Sequence, residues 1–293
     1  MIRIRMTVLL AAVVTLIPSI ATAQQVRHVV VIGVDGMGSE GVVRIDPPTL
    51  HRLREEGIWT LKGRAVMPTV SAPNWASMIM GAGPEQHGVT SNDWRAEKYE
   101  IAPICAGNEK IYPTIFGLLR QQRPKAVIGV FHDWDGFGHL FERKSVDVIV
   151  DATSSADAIE RAGEFIVARR PHLTFIHLDD VDHAGHKHGW LSSQYDEALR
   201  DADRLIGGLV DRLKKAGLLE RTAILITSDH GGKGDRHGGL TMSEIEIPWI
   251  LTAPGVVRGE TNRLVNTYDT APTLSRLLGI KPHACWIGRS VIN

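Results

Sequence analysis

The chain of 293 residues has little cysteine, no net charge and no long apolar run. Lysine plus arginine and aspartate plus glutamate number 33 each. This balance gives no reason to expect nucleic-acid binding or a polybasic membrane patch. The two cysteines, Cys105 and Cys285, could pair outside the cytoplasm, but their separation in sequence does not show that they are close in space.

The longest apolar run near the start, Met6 to Ile17, is shorter than the roughly 20 residues that a membrane-spanning helix needs. Two arginines precede this run, and residues 21–23 have the small-x-small pattern of a signal-peptidase site. We therefore predict a signal peptide over residues 1–23 and a periplasmic or secreted mature chain, 24–293, without a membrane anchor after cleavage. The alternative is an uncleaved anchor. No cysteine lies near the cleavage point, so a lipid-anchored precursor is not expected.

The rest of the chain alternates between strand and helix patterns, without repeats, low-complexity tracts or Pro/Ser-rich linkers. Five short β-branched runs are apolar enough for strands buried on both faces: 28–34, 126–131, 173–179, 223–229 and 248–254. Helical patterns that end near glycine or proline lie between them: 48–56, 112–122, 155–169, 192–215 and 270–278. We predict a single α/β domain with a mostly parallel central sheet, helices on both faces and short cap insertions.

Five segments contain an aspartate, histidine or serine next to small residues, which leave space around its side chain. They are VDGMG at Asp35, VSAPN at Ser71, DHAGH from Asp182 to His186, TSDHGG at Asp229 and His230, and DRHGG at His237. Two divalent cations that also bind substrate or water need about three protein ligands each. Three carboxylates, three imidazoles and one hydroxyl meet that need. In open α/β sheets, ligands bind outside the carboxyl ends of the strands, where several of these residues are predicted to lie.

Each segment also has a plainer interpretation. Asp35 could begin a turn, Ser71 could be an ordinary helix cap, and His237 could be a solvated loop histidine. Asp182 and His186 are four residues apart, so a helical turn would bring both side chains to one face. Nearby His183 and His188 offer the same chemistry as His186 without that spacing to Asp182.

The ordered set of motifs resembles the alkaline phosphatase superfamily, most closely its type I phosphodiesterase/nucleotide pyrophosphatase branch. That branch has a nucleophilic threonine in a Thr-x-Pro-Asn run, followed by Gly-x-x-Pro-x-x-His-Gly. This chain has Ser-Ala-Pro-Asn at 71–74, with serine in place of threonine, and GAGPEQHG at 81–88. Asp182 to His186 matches the branch's Asp-x-x-Gly-His element. The resemblance covers nearly all of the mature chain and implies an alkaline phosphatase-like fold.

The resemblance also implies a site with two divalent metal ions, identified as zinc. Its residues would be Asp182, His186 and His237 for the first ion, Asp35, Asp229, His230 and Ser71 for the second, and Asn74 as a contact to a phosphoryl oxygen. Ser71 would attack the phosphorus of a small-molecule phosphoester, with the ions about 4 Å apart, and water would hydrolyse the phosphoseryl intermediate.

Three other functions remain open at this point. A phosphomonoesterase would use the same metals with an added cationic group, for which Lys62, Arg64 and Arg95 are possible. A sulfatase needs x-Pro-x-Arg after its modified residue, and Asn74 with Trp75 does not provide it. The third is a zinc-binding protein without turnover.

An aromatic segment, with Trp134, Phe137 and Phe141 near His132 and His139, has two interpretations. It could line a leaving-group pocket, or it could pack in the core. Packing is the plainer of the two.

Overall fold

An eight-stranded sheet forms the centre of the structure, a computed structural model that describes Ile2 and residues 25–293. Its strands are β1 (His28–Val34), β2 (Ile58–Arg64), β3 (Ile128–His132), β4 (Val148–Asp151), β5 (Leu173–Leu178), β6 (Thr222–Thr227), β7 (Glu246–Thr252) and β8 (Gly259–Glu260). Their order in the sheet is β4-β3-β5-β1-β6-β7-β2-β8. Apart from Ile2, the predicted signal peptide lies outside the described residues and stays a prediction.

The sheet is mostly parallel, as predicted. β7 runs antiparallel to both of its neighbours, β6 and β2, and the other five pairings in the described sheet are parallel. All five predicted strands are present within a few residues of their expected ends. The prediction missed β2, β4 and β8 because their apolar signal is weak: β2 has a lysine, a glycine and an arginine at its end, and β4 and β8 are short and not fully buried.

Ten α-helices lie among the described residues and cover both faces of the sheet. They are α1 (Ser39–Ile45), α2 (Pro48–Glu56), α3 (Ser71–Met80), α4 (Pro84–His87), α5 (Ile115–Gln122), α6 (Ser155–Arg169), α7 (Asp180–His188), α8 (Ser193–Lys215), α9 (Met242–Ile245) and α10 (Thr270–Leu278). The predicted ranges of α2, α6 and α10 are confirmed to the residue. Across the part of the chain that is described, no helix has the length and apolar character needed to span a membrane.

The alternation of side chains along β1 explains the two-faced packing. Val29 and Val31 belong to the apolar cluster that includes α3, α5 and α10, whereas Val30, Ile32 and Val34 belong to the cluster that includes α6 and α8. Successive side chains of a strand point to opposite faces of a sheet, so a wholly apolar strand must be covered on both sides. This confirms the predicted α/β fold with helices on both faces.

A disulfide joins two distant parts of the chain. Cys105 pairs with Cys285, with their Cα atoms 6.5 Å apart and 180 residues between them in sequence. Cys105 lies in the segment between α4 and α5, where a short 3-10 turn interrupts irregular chain, and Cys285 follows α10. The bond therefore ties an irregular connection, one of the expected cap insertions, to the C-terminal segment.

We expect the double variant Cys105→Ser/Cys285→Ser to fold but to be less stable by about 2 to 4 kcal/mol, because a long closed loop restricts the unfolded chain. Urea unfolding of the oxidised wild type and of the variant measures the difference. Wild type in reductant is the control and should match the variant. An unchanged unfolding midpoint would contradict a stabilising role for this bond.

Candidate metal centre

Two groups of potential metal ligands lie side by side at the carboxyl edge of the sheet. Asp182, His186 and His237 form one group, and Asp35, Asp229 and His230 form the other; within each group the ligand atoms lie within 4.8 Å of one another. The rings of His230 and His237 stack with centroids 3.8 Å apart and join the two groups. The first group is partly open to solvent, whereas the second is buried.

Strand ends account for much of this convergence. Asp35 directly follows β1, Asp229 comes two residues after β6, and Asp182 lies in the first turn of α7, just after β5. These three strands are neighbours in the sheet, with β1 between β5 and β6. Parallel neighbours end at the same edge, so residues far apart in sequence meet there. His237 is brought in by the loop between β6 and α9.

Each of the three histidines is oriented by a backbone carbonyl. The Nδ1 atoms of His186, His230 and His237 lie 2.9, 2.9 and 2.8 Å from the carbonyl oxygens of Asp235, Gly231 and Thr69, respectively. A carbonyl oxygen can only accept a hydrogen bond, so Nδ1 carries the proton in each ring. Nε2 is then left with a free lone pair, the form in which neutral histidine binds a metal.

The three aspartates of the site each have a carboxylate oxygen that is available to a cation. One oxygen of each predicted aspartate is buried without a hydrogen-bond partner among the described residues: Asp35 Oδ1, Asp182 Oδ1 and Asp229 Oδ2. Two of them face His230 Nε2, at 3.4 Å for Asp35 Oδ1 and 3.2 Å for Asp229 Oδ2. Buried anionic oxygens without partners are costly unless a cation balances them. These donor atoms therefore fit two divalent cations.

The pKa values reflect the crowding of negative charge. Burial raises the pKa of Asp182 to about 9, and repulsion from Asp35 and Asp179 adds to the shift. Burial, with repulsion from Asp35 and Asp182, raises the pKa of Asp229 well above its usual range. Burial opposes ionisation of Asp35 too, but a hydrogen bond from His177 and the nearby imidazoles outweigh it and lower its pKa to about 2. Burial lowers the pKa of His230 to about 3, which keeps its ring neutral.

Glycines allow the segments to approach closely. A Cβ atom on Gly36, which has a φ of +69°, would lie 2.8 Å from the Cα of Asp182. A Cβ atom on Gly232 would lie 2.1 Å from the ring of Trp190. Gly36 also donates its backbone N–H to Asp229 Oδ1 at 3.2 Å. The small residues of the VDGMG and TSDHGG motifs are therefore needed for the ligands to meet.

Ser71 stands at the edge of the buried group. It is the first residue of α3, directly after the N-cap residue Val70, and its Oγ lies 3.3 Å from His230 Nε2. Among the first three helical residues, Pro73 has no N–H and the Ala72 N–H donates to Asn92 Oδ1 at 2.9 Å. The backbone N–H of Ser71 has no acceptor among the described residues. It is thus free to donate to an anion near the Ser71 hydroxyl.

The structure gives Asn74 a different role from the predicted phosphoryl contact. Its side chain is fully buried, accepts from the Val66 N–H at 2.7 Å, and donates to the carbonyls of Val66, Pro68 and Val70 at 3.2, 3.1 and 2.9 Å. Its polar atoms are all engaged with the chain that leads into α3. Asn74 therefore supports the segment before Ser71, and we do not assign it a contact with substrate.

Sequence reasoning missed two residues of this region. Asn92 is exposed, and its side-chain oxygen accepts a hydrogen bond from the backbone N–H of Ala72, the residue after Ser71. The side-chain nitrogen of Asn92 has no partner among the described residues. His177 is buried in β5, and with Asp35 and Asp179 it makes a third group with metal-ligand spacing. A histidine inside an otherwise apolar strand was a signal for the second residue, whereas nothing local marks Asn92.

The aromatic segment serves mainly as packing. Phe137 and Phe141 are buried, and Phe137 stacks on Phe175 with centroids 4.9 Å apart. Trp75 meets Phe137 edge-on at 6.0 Å. These contacts favour the core interpretation over a leaving-group pocket.

Solved structures with the same fold carry the names of different enzymes. An inactive variant of murine ectonucleotide pyrophosphatase/phosphodiesterase 5, in complex with AMP, superposes with a TM-score of 0.73 at 16% identity, covering 88% of this chain and 96% of that one. A mutant of the alkaline phosphatase PafA gives a TM-score of 0.76 at 12% identity, with 91% and 98% covered. A 2-O GAG sulfatase gives 0.68 at 16% identity, with 91% and 73% covered. At these identities the likeness shows the alkaline phosphatase-like fold alone.

Sequence comparison is more specific. Residues 29–235 match the family model of type I phosphodiesterase/nucleotide pyrophosphatase. The chain belongs to this family, within the alkaline phosphatase superfamily. Mouse ectonucleotide pyrophosphatase/phosphodiesterase family member 1 is 29% identical over 196 residues, covering 63% of this chain and 21% of the relative. Mouse bis(5'-adenosyl)-triphosphatase enpp4 is 26% identical over 219 residues, covering 70% and 47%. The matches thus span about a fifth to a half of these relatives.

We expect Asn74→Ala to lower the free energy of unfolding by about 2 kcal/mol, because the Val66 N–H and C=O lose their side-chain partner and the Pro68 and Val70 carbonyls each lose one of two donors. Thermal unfolding measures the change. Asn262→Ala is the matched control, since its side chain is exposed and makes no hydrogen bond among the described residues, and should unfold close to wild type. Equal stability of the two variants would contradict the supporting role of Asn74.

We expect the wild type to bind two zinc ions per chain, and Asp182→Asn and Asp229→Asn each to lose one, because each aspartate belongs to a different ligand group. Metal analysis after dialysis gives the stoichiometry. Asp201→Asn, which changes an exposed carboxylate on α8, is the control. If the wild type retained one ion or fewer, the paired site would be wrong.

Proposed function

We propose that this chain is a periplasmic or secreted, zinc-dependent phosphodiesterase of the nucleotide pyrophosphatase type, which acts on small phosphoesters through a phosphoseryl intermediate. The main support is the position of the Ser71 Oγ atom, 3.3 Å from Nε2 of a predicted metal ligand, His230. The relatives' names, which include a nucleotide pyrophosphatase/phosphodiesterase and a bis(5'-adenosyl)-triphosphatase, support a nucleotide as the substrate.

The ligand residues would bind two cations. Asp182, His186 and His237 would hold one cation, and Asp35, Asp229 and His230, with Ser71, the other. When bound, the cations neutralise charge on the attacking and leaving oxygens and lower the pKa of water. Zinc suits this mixture of carboxylate oxygens and imidazole nitrogens.

Ser71 carries out the covalent step. Its Oγ forms a bond to phosphorus while the bond to the leaving oxygen breaks, and the proton from Oγ passes through solvent to the leaving oxygen, which departs as an alcohol. Water then attacks the phosphoserine and breaks the phosphorus–Oγ bond; one proton of the water returns to Oγ, and the oxygen of the water remains on the phosphoryl product. The free backbone N–H of Ser71, at the N-terminus of α3, favours negative charge there.

Asn92 is the residue that we assign to a nonbridging phosphoryl oxygen. Its Oδ1 accepts from the Ala72 N–H at 2.9 Å, which fixes the amide plane beside Ser71. Its Nδ2 group is then free to donate, and the residue is exposed enough for a substrate to reach. A fixed donor next to the nucleophile stabilises charge as it develops on phosphoryl oxygens.

The cationic residues considered for a phosphomonoesterase have different surroundings. Arg64 pairs with Glu246 at 3.3 Å. Arg95 donates to the backbone carbonyls of Trp94 and Asn92 at 2.7 and 3.3 Å, and Lys62 is exposed. The proposed preference for a diester over a monoester therefore rests on the family and on the names of the relatives.

We expect Ser71→Ala to reduce hydrolysis of bis(p-nitrophenyl) phosphate by at least about 10³-fold, because the covalent step loses its nucleophile. Wild type should turn over this diester faster than p-nitrophenyl phosphate or p-nitrophenyl sulfate. Ser193→Ala, on the exposed start of α8, is the matched control. Failure of zinc-loaded wild type to hydrolyse any of the three esters would exclude the proposed function.

We expect Asn92→Ala to lower kcat/KM for the diester by about 10- to 10³-fold, since one fixed donor to the phosphoryl group is lost. Steady-state kinetics should be measured beside metal analysis, and zinc content should stay unchanged. Wild-type kinetics in Asn92→Ala would contradict the assignment of this residue.

A further inference from the structure

The two carboxylate oxygens of Asp35 have different surroundings. Oδ2 accepts hydrogen bonds from Trp75 Nε1 at 2.9 Å and from His177 Nε2 at 3.1 Å. Oδ1 has no partner among the described residues and faces His230 Nε2 at 3.4 Å. One oxygen is therefore held by the protein, and the other is left for a cation.

The donor His177 is itself held on its far side. Its Nδ1 lies 3.1 Å from Asp133 Oδ1, and the side chains of Asp35, His177 and Asp133 are 1%, 0% and 2% exposed. The ring also lies 4.8 Å from Trp75 and 5.4 Å from Phe137, measured between centroids. The imidazole thus has little freedom to turn.

Asp133 is held in turn by the first residue of α6 and by the residue just before α7. Its Oδ2 accepts from Ser155 Oγ at 2.7 Å and from the Asp179 N–H at 3.0 Å. Asp133 follows β3, His177 lies near the end of β5, and Asp35 follows β1. Because β3, β5 and β1 are consecutive in the sheet, the three side chains form a line across its carboxyl edge.

Both ring nitrogens of His177 are engaged with carboxylates, Nε2 with Asp35 and Nδ1 with Asp133, each at 3.1 Å. Asp35, His177 and Asp179 have metal-ligand spacing as a third group. Because both of its nitrogens already have carboxylate partners, the geometry favours a supporting role for His177 over that of a metal ligand.

We propose that His177 is a positioning residue: held on its far side by Asp133, its ring holds Oδ2 of Asp35 and directs Oδ1 toward the cation that Asp229 and His230 would share. The inference rests on the metal site of the proposed function. It adds a line of buried groups, Asp133–His177–Asp35, that sets the geometry of one ligand without contacting substrate. Outer partners of this kind typically affect metal affinity by about 10- to 100-fold.

The test isolates the site at Asp35. In an Asp182→Asn background, where the other ligand group is disabled, zinc affinity is measured by competition with a chromophoric chelator. We expect His177→Leu to weaken binding by about 10- to 100-fold. His177→Gln should bind with intermediate affinity, because a glutamine amide can still donate to Asp35 Oδ2 but lacks the ring contact with Asp133. His51→Gln, which changes an exposed histidine on α2, should bind like the background protein.

Asp133→Asn provides a second route if His177→Leu fails to fold. It keeps the shape of the clamp and removes its charge, and we expect weaker zinc binding in the same background with the metal-free unfolding temperature closer to wild type than that of His177→Leu. Unchanged zinc affinity in both His177→Leu and Asp133→Asn would overturn the proposal. A third zinc ion bound by wild type and lost in His177→Leu would also overturn it.

The outcome is separable from that of the proposed function. A wild type that binds two zinc ions but hydrolyses no phosphoester would refute the function, and the affinity series would still decide the role of His177. Conversely, an active enzyme whose His177→Leu variant binds zinc normally would refute this inference alone.

Discussion

The site is built around three aspartates, Asp35, Asp182 and Asp229, that lie together almost out of contact with water. In a medium of low dielectric constant their mutual repulsion is large, and each keeps one oxygen without a hydrogen-bond partner among the described residues. Without cations the repulsion favours proton uptake, which is why burial and neighbouring charge raise the pKa of Asp182 and Asp229. The histidines with Nε2 free would let bound cations balance the charge instead, and His177 supports Asp35 from the other side.

The scaffold fixes these groups from outside the site. Backbone carbonyls select the tautomer of the three histidines, the Gly36 N–H holds Asp229, and glycines let neighbouring segments come close enough to share a cation. Ligands that are already oriented lose little freedom when a metal binds, so more of the binding energy is available for affinity. The cost is a folded state whose stability depends on its cations.

Asn74 and Asn92 show that the sequence alone does not predict which asparagine side chain faces the site. Asn74 lies three residues after the proposed nucleophile and matches a motif, yet the polar atoms of its side chain are hydrogen-bonded to the backbone that precedes α3. Asn92 lies 20 residues after Ala72 in sequence and yet is anchored to it by a hydrogen bond. A motif shows which residue types occur together, but the direction in which an amide points depends on how the backbone around it folds, as with Val66 to Val70 for Asn74 and Ala72 for Asn92.

The sequence by itself determined the α/β class, five central strands, most of the long helices and the residues that converge as two ligand groups, because apolar periodicity and glycine-flanked acidic runs are local features. Only the tertiary structure decided the reversed direction of β7, the pairing of Cys105 with Cys285, the role of Asn74 and the line from Asp133 through His177 to Asp35. The direction of β7 and the line through His177 depend on which strands are neighbours, and strand order is set by packing across the whole sheet. The disulfide and the contacts of Asn74 depend on the paths of irregular segments, for which the sequence has no periodic signal.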